Sequence, residues 1–197
     1  MSDTEPLADN RLPPQDERHP LIEALRRHAR RRPEQAACCA EMTAFILSSR
    51  DCFRRTHALG HLTGSAWLLS PEGDAALLTL HRKLKRWLQP GGHADGDADL
   101  LRVALREAEE ESGIVGIQPL STDIFDVDIH LIPARPGEPE HRHYDVRYLL
   151  RAPHRRFVCS AESEALAWLP IARLASPQAD VDPSVARMAR LTQSLHG

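Results

Sequence analysis

The spacing of apolar residues divides the chain into regions of different expected structure. Between residues 20 and 49 they recur every three or four positions, which predicts two amphipathic helices, at residues 20–32 and 34–49. Residues 1–19 carry prolines and charges without an apolar period, so a flexible tail is predicted there. From about residue 60 the period shortens to that of β-strands.

Strands and helices then follow one another to the end of the chain. A hairpin is predicted because two apolar stretches, at residues 61–70 and 75–84, flank a turn of proline, glycine and acidic residues. Further strands are predicted at residues 122–134, 143–153 and 165–170, and helices at residues 98–112 and 183–195. The glycine-rich segment 87–97 is predicted to be a loop. The predicted parts are a tail at residues 1–19, a helical extension at residues 20–57 and a domain at residues 58–197.

Composition narrows the classes of function. The chain has 197 residues, 42% of them hydrophobic, which suits one globular domain with a short appendage. The chain contains 25 Lys and Arg and 28 Asp and Glu, so it has no net positive charge that would attract nucleic acid or a membrane surface. A small-molecule partner is therefore expected. No apolar run approaches the roughly 20 residues that cross a bilayer, and the N-terminus is polar, so a cytoplasmic protein is predicted.

The cysteines are predicted to be free, partly buried thiols. Their spacing fits neither a C-x-x-C metal pair nor the disulfide framework of a small secreted protein. They are Cys38, Cys39, Cys52 and Cys159.

The stretch REAEEESG, residues 106–113, places four glutamates within five positions of a predicted helix. On that helix Glu107, Glu110 and Glu111 share one side, and Glu109 points elsewhere. Such a carboxylate stripe would suit a hard divalent cation such as Mg²⁺. A solvated acidic helix with an ion pair between Arg106 and Glu110 would fit as well, and spacing alone leaves both interpretations open. The opposite stripe is expected to face the core and consists of Leu101, Ala104, Leu105 and Ala108.

Residues 91–114, GGHADGDADLLRVALREAEEESGI, closely resemble the Nudix box. That pattern is a glycine, five residues, a glutamate, seven residues, and then Arg-Glu-apolar-x-Glu-Glu-x-Gly-apolar. The matching positions are Gly92, Arg106, Glu107, Ala108, Glu110, Glu111, Gly113 and Ile114. Ala98 replaces the first glutamate of the box, which in the family mostly supports the loop and the box arginine. Asp97 and Asp99 flank it, and either could cap the helix.

The resemblance implies an α+β fold of the Nudix type from about residue 60 to residue 197: a mixed β-sheet in an α/β/α sandwich, here preceded by the helical extension. It implies a pyrophosphohydrolase that uses Mg²⁺ or Mn²⁺ to cleave a diphosphate bond in a nucleoside diphosphate linked to another moiety. The implied metal ligands are Gly91, Glu107, Glu110 and Glu111. The implied catalytic carboxylates are Glu110, Glu111 and Glu162, with Glu164 as the alternative to Glu162. Gly92, Arg106 and Gly113 are implied to support the box.

Further candidates lie outside the acidic stripe. A basic run leads into the glycine loop, so Lys83 and Arg86 are predicted to contact phosphate, although charges at a strand edge would also explain them. His93 and His143 are predicted to contact substrate, and together with His141 they could instead lie near a metal. Three residues alternate on one face of a predicted strand, either as part of a site or as its solvent-facing side; they are Asp126, Asp128 and His130.

Other functions fit the resemblance less well. A non-catalytic Nudix-like module that binds a nucleotide would account for Ala98 and for the helical extension. An RNA 5′-end pyrophosphohydrolase would need a basic channel, which the composition does not favour. Isopentenyl diphosphate isomerases share the fold, but Pro90, Gly91 and Gly92 stand here where their catalytic cysteine is expected. Because many Nudix proteins are homodimers, a homodimer is also expected.

Overall fold

The computed structural model describes residues 15–81, 85–135, 137–158 and 163–195. Its helices are α1 (His19–Arg31), α2 (Ala36–Ser48), α3 (Leu100–Ser112), α4 (Ile171–Leu174) and α5 (Pro183–Gln193). Its strands are β1 (Gly60–Leu69), β2 (Ala75–His81), β3 (Arg86–Leu88), β4 (Gly91–His93), β5 (Gln118–Pro119), β6 (Asp126–Ile132), β7 (His141–Arg151) and β8 (Ser163–Pro170). None of the helices in the described part of the chain has the length and apolar character needed to span a membrane.

The eight strands form one mixed sheet with β1 near its centre. β1 runs parallel to β7 along its whole length, from Gly60 beside Arg142 to Leu69 beside Arg151. The other edge of β7 pairs with β6 and β5, and β2 carries β8 and β3; all of these pairs are antiparallel. This architecture confirms the predicted α+β fold with a mixed sheet.

The segment between β2 and α3 departs from its predicted loop structure. β1 and β2 pair beside their turn, at Leu69 and Ala76. Further along, β3 pairs with β2 whereas β4 pairs with β1, so residues 86–93 connect the two diverging strands. Each of these strands has three residues and β4 begins with two glycines, so neither shows the alternation that predicts a strand.

One face of the sheet packs against α1, α2 and α3. Gly64 of β1 lies against α3, where an added Cβ would be 2.7 Å from the carbonyl oxygen of Leu100. This close approach turns Leu100 and Val103 inward, so the buried stripe of α3 lies slightly to one side of the predicted one, and Leu101 and Leu105 are only partly buried. The buried residues of α3 are Leu100, Val103, Ala104, Ala108 and Ser112.

The helical extension packs against this same face of the sheet. Phe45 of α2 stacks on Tyr144 of β7 with ring centroids 3.9 Å apart, and Met42 and Ile46 are fully buried in the shared core. At the N-terminus, Arg18 is 5% exposed and donates to the carbonyl of Ile46 at 3.0 Å. The rest of the predicted tail, residues 1–14, lies outside the described residues.

The described cysteines are free thiols, as predicted. Burial raises the pKa of Cys38 and that of Cys52 to about 12. Cys39 is buried as well, and Cys159 lies outside the described residues.

Among the described residues, α4 and α5 pack on the second face of the sheet at one end. There Trp67 and Leu69 of β1 pack under α4 and α5, and the Trp67 indole donates to the Thr192 hydroxyl at 2.8 Å. Towards the start of β1 the alternating positions become polar, beginning with Ser65. The other end of this face carries polar side chains from four adjacent strands, and most of them are buried.

Candidate active site

The ends of α3 show how the box is held without its first glutamate. The Asp99 carboxylate caps the helix by accepting the Arg102 backbone N–H at 3.1 Å. Asp97 accepts the Asp99 N–H at 2.9 Å and the Arg102 guanidinium at 2.7 Å. Gly113 ends the helix in the left-handed conformation, with φ of 66°, as its predicted role requires.

The loop before α3 has two further attachments. Arg55 donates to Asp95 at 2.6 Å, and the Gly96 N–H donates to the carbonyl of Phe53 at 2.8 Å. Ala98 itself is partly buried against the core. Phe53 and Arg55, in the segment before β1, thus hold the loop that the first glutamate of the box supports in the family.

The glutamates of α3 meet β4 at its glycines. Glu111 accepts the backbone N–H of Gly91 at 2.9 Å. An added Cβ on Gly92 would lie 2.4 Å from the Glu107 carboxyl carbon, so this carboxylate packs directly on the glycine backbone. Arg106 donates to Glu107 at 2.8 Å and to the carbonyl of His93 at 3.0 Å. The structure therefore brings the predicted box residues together.

The remaining glutamates separate as the helical period predicts. Glu110 is exposed, on the same side of α3 as Glu107 and Glu111. Glu109 instead accepts the Gly116 N–H at 3.0 Å, beyond the C-terminus of the helix. The described ion pair of Arg106 is with Glu107 and not with Glu110, and the hydrogen bond to Glu107 raises the pKa of Arg106.

The backbone of β4 also turns oxygen atoms toward α3. Pro90 and Ala94 bond with β1, through Ala66 N–H to Pro90 O at 2.9 Å and Ala94 N–H to Leu62 O at 3.3 Å. Because bonding alternates along an antiparallel pair, the peptide groups of Gly91 and His93 point away from β1. The Gly91 carbonyl thus lies on the side of Glu111. Oxygen donors of this kind fit a hard divalent cation.

Next to β4 lies the polar end of the second sheet face, called here the polar sheet end. Adjacent strands are in register, so its side chains form cross-strand rows. The members are His61, Thr63 and Ser65 of β1, His93 of β4, His143, Asp145 and Arg147 of β7, and Asp126, Asp128 and His130 of β6.

One part of the polar sheet end is a buried ion network around Arg147. This guanidinium donates to Asp145 at 2.7 Å and to Asp126 at 2.9 Å. Burial alone would lower the pKa of Arg147, but Asp145, Asp126 and Asp128 together raise it above its ordinary value. Asp145 also accepts the hydroxyl groups of Thr63 and Ser65, each at 2.8 Å. Pattern reasoning missed Arg147, although a charge alternating with apolar residues in YDVRYLL is its signal.

Two distant segments complete this network through Asp126, which is fully buried. Arg187 of α5 donates to both Asp126 oxygens at 2.8 Å. The amide nitrogen of Gln35, just before α2, donates to Asp126 at 2.6 Å, and its amide oxygen accepts a hydrogen bond from the His28 ring at 2.6 Å. The solvent-facing alternative for Asp126 is therefore wrong, since Gln35, Arg147 and Arg187 enclose its carboxylate.

The other part of the polar sheet end is a cluster of histidines. The ring centroids of His61, His93 and His143 are 4.7–5.1 Å apart. His141 and His130 lie beside His143, with centroids at 5.2 Å and 5.4 Å. The structure thus joins the predicted His93 and His143 to His61, which sequence reasoning did not single out.

Electrostatics keeps these imidazoles neutral at physiological pH. Burial, followed by the neighbouring histidines, lowers the pKa of His143 to about 2. Burial and then His93 and His141 lower the pKa of His61 to about 4. Burial, followed by the nearby Arg55 charge, also lowers the pKa of His93. Neutral imidazole offers one nitrogen lone pair, which is the form that binds metals.

Four further predicted site residues lie outside the described residues or apart from this arrangement. Lys83 and Glu162 lie outside the described residues, and so does the side chain of Glu164, which belongs to β8. Arg86 of β3 is exposed and pairs at 3.4 Å with Asp182, at the N-terminus of α5.

Comparisons with known proteins agree with this fold. A family model described as the NUDIX domain matches residues 61–191. A solved hydrolase of the NUDIX family from Clostridium perfringens is 24% identical, with a TM-score of 0.51 over 70% of this chain and 98% of that one. An Ap4A hydrolase from C. elegans is 16% identical, with a TM-score of 0.51 over 68% and 96% of the two chains. The Nudix hydrolase RenU from M. smegmatis is 18% identical, with a TM-score of 0.51 over 70% and 86%.

At these identities the solved structures establish the fold, and the family model establishes the family. No curated protein matches the chain. The protein belongs to the Nudix family, because the family model spans most of the domain and the second half of the box is complete. Its enzyme class is the predicted one, a Nudix-type pyrophosphohydrolase.

Proposed function

We propose that this protein hydrolyses a diphosphate bond in a nucleoside diphosphate linked to another moiety, and that it requires Mg²⁺ or Mn²⁺. The observation that carries the proposal is the meeting of α3 and β4, where Glu111 accepts the Gly91 N–H at 2.9 Å and Glu107 packs on Gly92. These contacts fix carboxylate oxygens beside a glycine backbone that has no side chains to keep a diphosphate away.

The donor set fits the proposed metal. Glu107, Glu110 and Glu111 offer carboxylate oxygens and Gly91 offers a carbonyl, which are ligands that Mg²⁺ and Mn²⁺ accept. When bound, such a cation neutralises phosphate charge and lowers the pKa of an attacking water.

The chain itself contributes orientation and proton transfer. Arg106 links Glu107 to the carbonyl of His93, so the spacing of α3 and β4 is set before substrate arrives. Glu110 and Glu111 are the proposed catalytic carboxylates of α3, and Glu162 is the proposed base that accepts a proton from the attacking water.

The substrate is proposed to extend from the glycines of β4 across the polar sheet end. His93 and His143 face this region and would contact its phosphate or sugar oxygens. Lys83 and Arg86 would supply positive charge, with Arg86 exchanging its exposed partner Asp182 for phosphate. We place this reaction in the cytoplasm and expect the enzyme to form a homodimer.

The test measures phosphate-coupled turnover of nucleotide sugars, ADP-ribose, dinucleoside polyphosphates and oxidised nucleotides. The similarity to an Ap4A hydrolase supports including dinucleoside polyphosphates. Each assay is run on chelator-treated enzyme, with Mg²⁺ or Mn²⁺ added back. The variants are Glu110→Gln and Glu111→Gln, with Glu109→Gln as the control, because Glu109 is on the same helix but bonds to Gly116.

The expected result is turnover of at least one compound class that needs the added metal. It should fall by about a hundredfold or more in both test variants, an order expected when a catalytic group is lost, and stay near wild type in Glu109→Gln. Equal activity in all three variants would contradict the proposal. Nucleotide binding without turnover in the wild type would instead identify the non-catalytic module that Ala98 suggests.

A further inference from the structure

The histidine cluster contains a buried side chain whose polar atoms lack partners. His61 is 2% exposed, and neither of its ring nitrogens has a hydrogen-bond partner within the described residues. Leaving a buried polar group unsatisfied costs about 1–3 kcal/mol, so such groups in folded proteins call for an explanation. An apolar residue at this position of β1 would avoid that loss of folding free energy.

The nitrogens of three histidines converge around this position. One ligand atom from each of His61, His93 and His143 can be chosen so that all lie within 4.8 Å of one another. The three residues come from β1, β4 and β7. Rigid paired strands hold their backbones, because His61 is directly beside His143 and the neighbouring Thr63 is beside His93.

These distances suit a small cation after a modest adjustment. Tetrahedral coordination with Zn–N bonds near 2.0–2.1 Å places ligand nitrogens about 3.4 Å apart. The separations of up to 4.8 Å exceed this by at most about 1.4 Å, which small rotations of the imidazole rings can supply. Imidazole nitrogen suits Zn²⁺ and related transition metals, whereas carboxylate and carbonyl oxygens suit Mg²⁺.

We propose that His61, His93 and His143 form a binding site for a transition-metal cation of the Zn²⁺ type. Three protein ligands leave a fourth position for water or for an oxygen atom of a bound molecule. His141 and His130 lie beside His143; the ring centroid of His141 is also 5.0 Å from that of His61, and its Nε2 is 3.3 Å from the Nε2 of His143. His130 lies 3.3 Å from the carboxylate of Asp128, and His141 lies 2.8 Å from the carbonyl of Pro139, so both have other partners.

This site is separate from the acidic stripe of α3. Its donors are nitrogens on the sheet face, whereas those of the stripe are oxygens on the helix and on the outward side of β4. Arg106 reaches the carbonyl of His93 and not its ring, so the two groups share a backbone residue but no donor atom. Metal binding by the histidines does not depend on the hydrolysis proposed above.

The experiment titrates tag-free, chelator-treated protein with Zn²⁺ by calorimetry in excess Mg²⁺, and with Co²⁺ followed by visible absorption. The wild type should bind one equivalent of Zn²⁺, and Co²⁺ should give the intense bands of a tetrahedral nitrogen site. Affinity should fall by at least about tenfold in each of His61→Gln, His93→Gln and His143→Gln, since each removes one ligand. Circular dichroism verifies that each variant is folded.

Two controls decide where a bound metal lies. His130→Gln changes a histidine at the edge of the cluster and should leave Zn²⁺ affinity unchanged. Glu111→Gln should weaken hydrolysis but leave the Co²⁺ spectrum intact. Absence of Zn²⁺ binding to the wild type would overturn the proposal. So would binding that survives in all three histidine variants, or that disappears in Glu111→Gln, because the metal would then lie on α3. The Co²⁺ spectrum of the wild type tests the nitrogen ligands without relying on any variant.

Discussion

The two parts of the polar sheet end share strands, face and register but differ in how their polar groups are paired. Around Arg147, carboxylates, hydroxyls and guanidinium groups meet at 2.7–2.9 Å. One row further along the same strands, His61 has no partner for either ring nitrogen among the described residues. His61 and Arg147 are each 2% exposed, so exposure to solvent does not account for the difference between them.

The difference in hydrogen bonding distinguishes polar residues that stabilise the fold from polar residues that are available to bind a ligand. A buried charge with complete partners stabilises the arrangement of the strands that carry it, and removing one partner leaves another charge uncompensated. An unpaired neutral imidazole contributes no such bond. The ion network is therefore structural, and the histidine cluster is the part available for binding.

The largest effect is expected for Arg147→Leu. This change leaves Asp145 as a buried carboxylate without its cation and Asp126 with Arg187 alone, so the free energy of unfolding should fall by about 3–5 kcal/mol. The control is Arg142→Leu on the same strand, where an exposed pair with Glu41 should contribute about 0–1 kcal/mol. Urea unfolding of the two variants measures both values. Similar losses would show that the buried network does not stabilise the fold more than a surface pair.

A smaller loss is expected for Gln35→Leu in the helical extension. Gln35 bridges His28 and Asp126 at 2.6 Å each, so the leucine variant leaves both with one hydrogen bond fewer. The cost should be about 1–3 kcal/mol in the same unfolding assay. Gln118→Leu, at an exposed position of β5, is the control and should change stability by less than about 0.5 kcal/mol. If both variants match the wild type, the extension is not coupled to the sheet through Asp126.

The comparison also explains which parts of the site the sequence could predict. Glu107, Glu110 and Glu111 lie on one helix, so the helical period alone places them together. The histidines come from three strands that are up to 82 residues apart, from His61 to His143. Their meeting depends on the parallel pairing of β1 with β7, which no local pattern encodes. His93 and His143 were found through neighbouring motifs, whereas His61 looked like an ordinary strand residue.

The fold shows the same division between local and distant information. The long helices and strands were predicted to within a few residues, because each contains several periods of its own pattern. The two short strands β3 and β4 were not, since their hydrogen bonds to β2 and β1 define them more than their residues do. Burial of Asp126 likewise depends on Gln35 and Arg187, which are distant in sequence.

The smallest effect is expected for His61→Phe in metal-free protein, and His28→Phe is its matched contrast. Both histidines are buried, at 2% and 1% exposure, but His28 bonds to the carbonyl of Ile124 at 3.0 Å and to Gln35 at 2.6 Å. His28→Phe should therefore lose about 1–3 kcal/mol. His61→Phe should have a free energy of unfolding close to that of the wild type, since it removes a polar group that has no hydrogen bond to lose.

Added Zn²⁺ should stabilise the wild type and His28→Phe but not His61→Phe, because a ligand stabilises only the folded state that binds it. A loss of stability in metal-free His61→Phe equal to that in His28→Phe would mean that His61 is paired in solution, and the contrast between the two parts of the sheet end would fail.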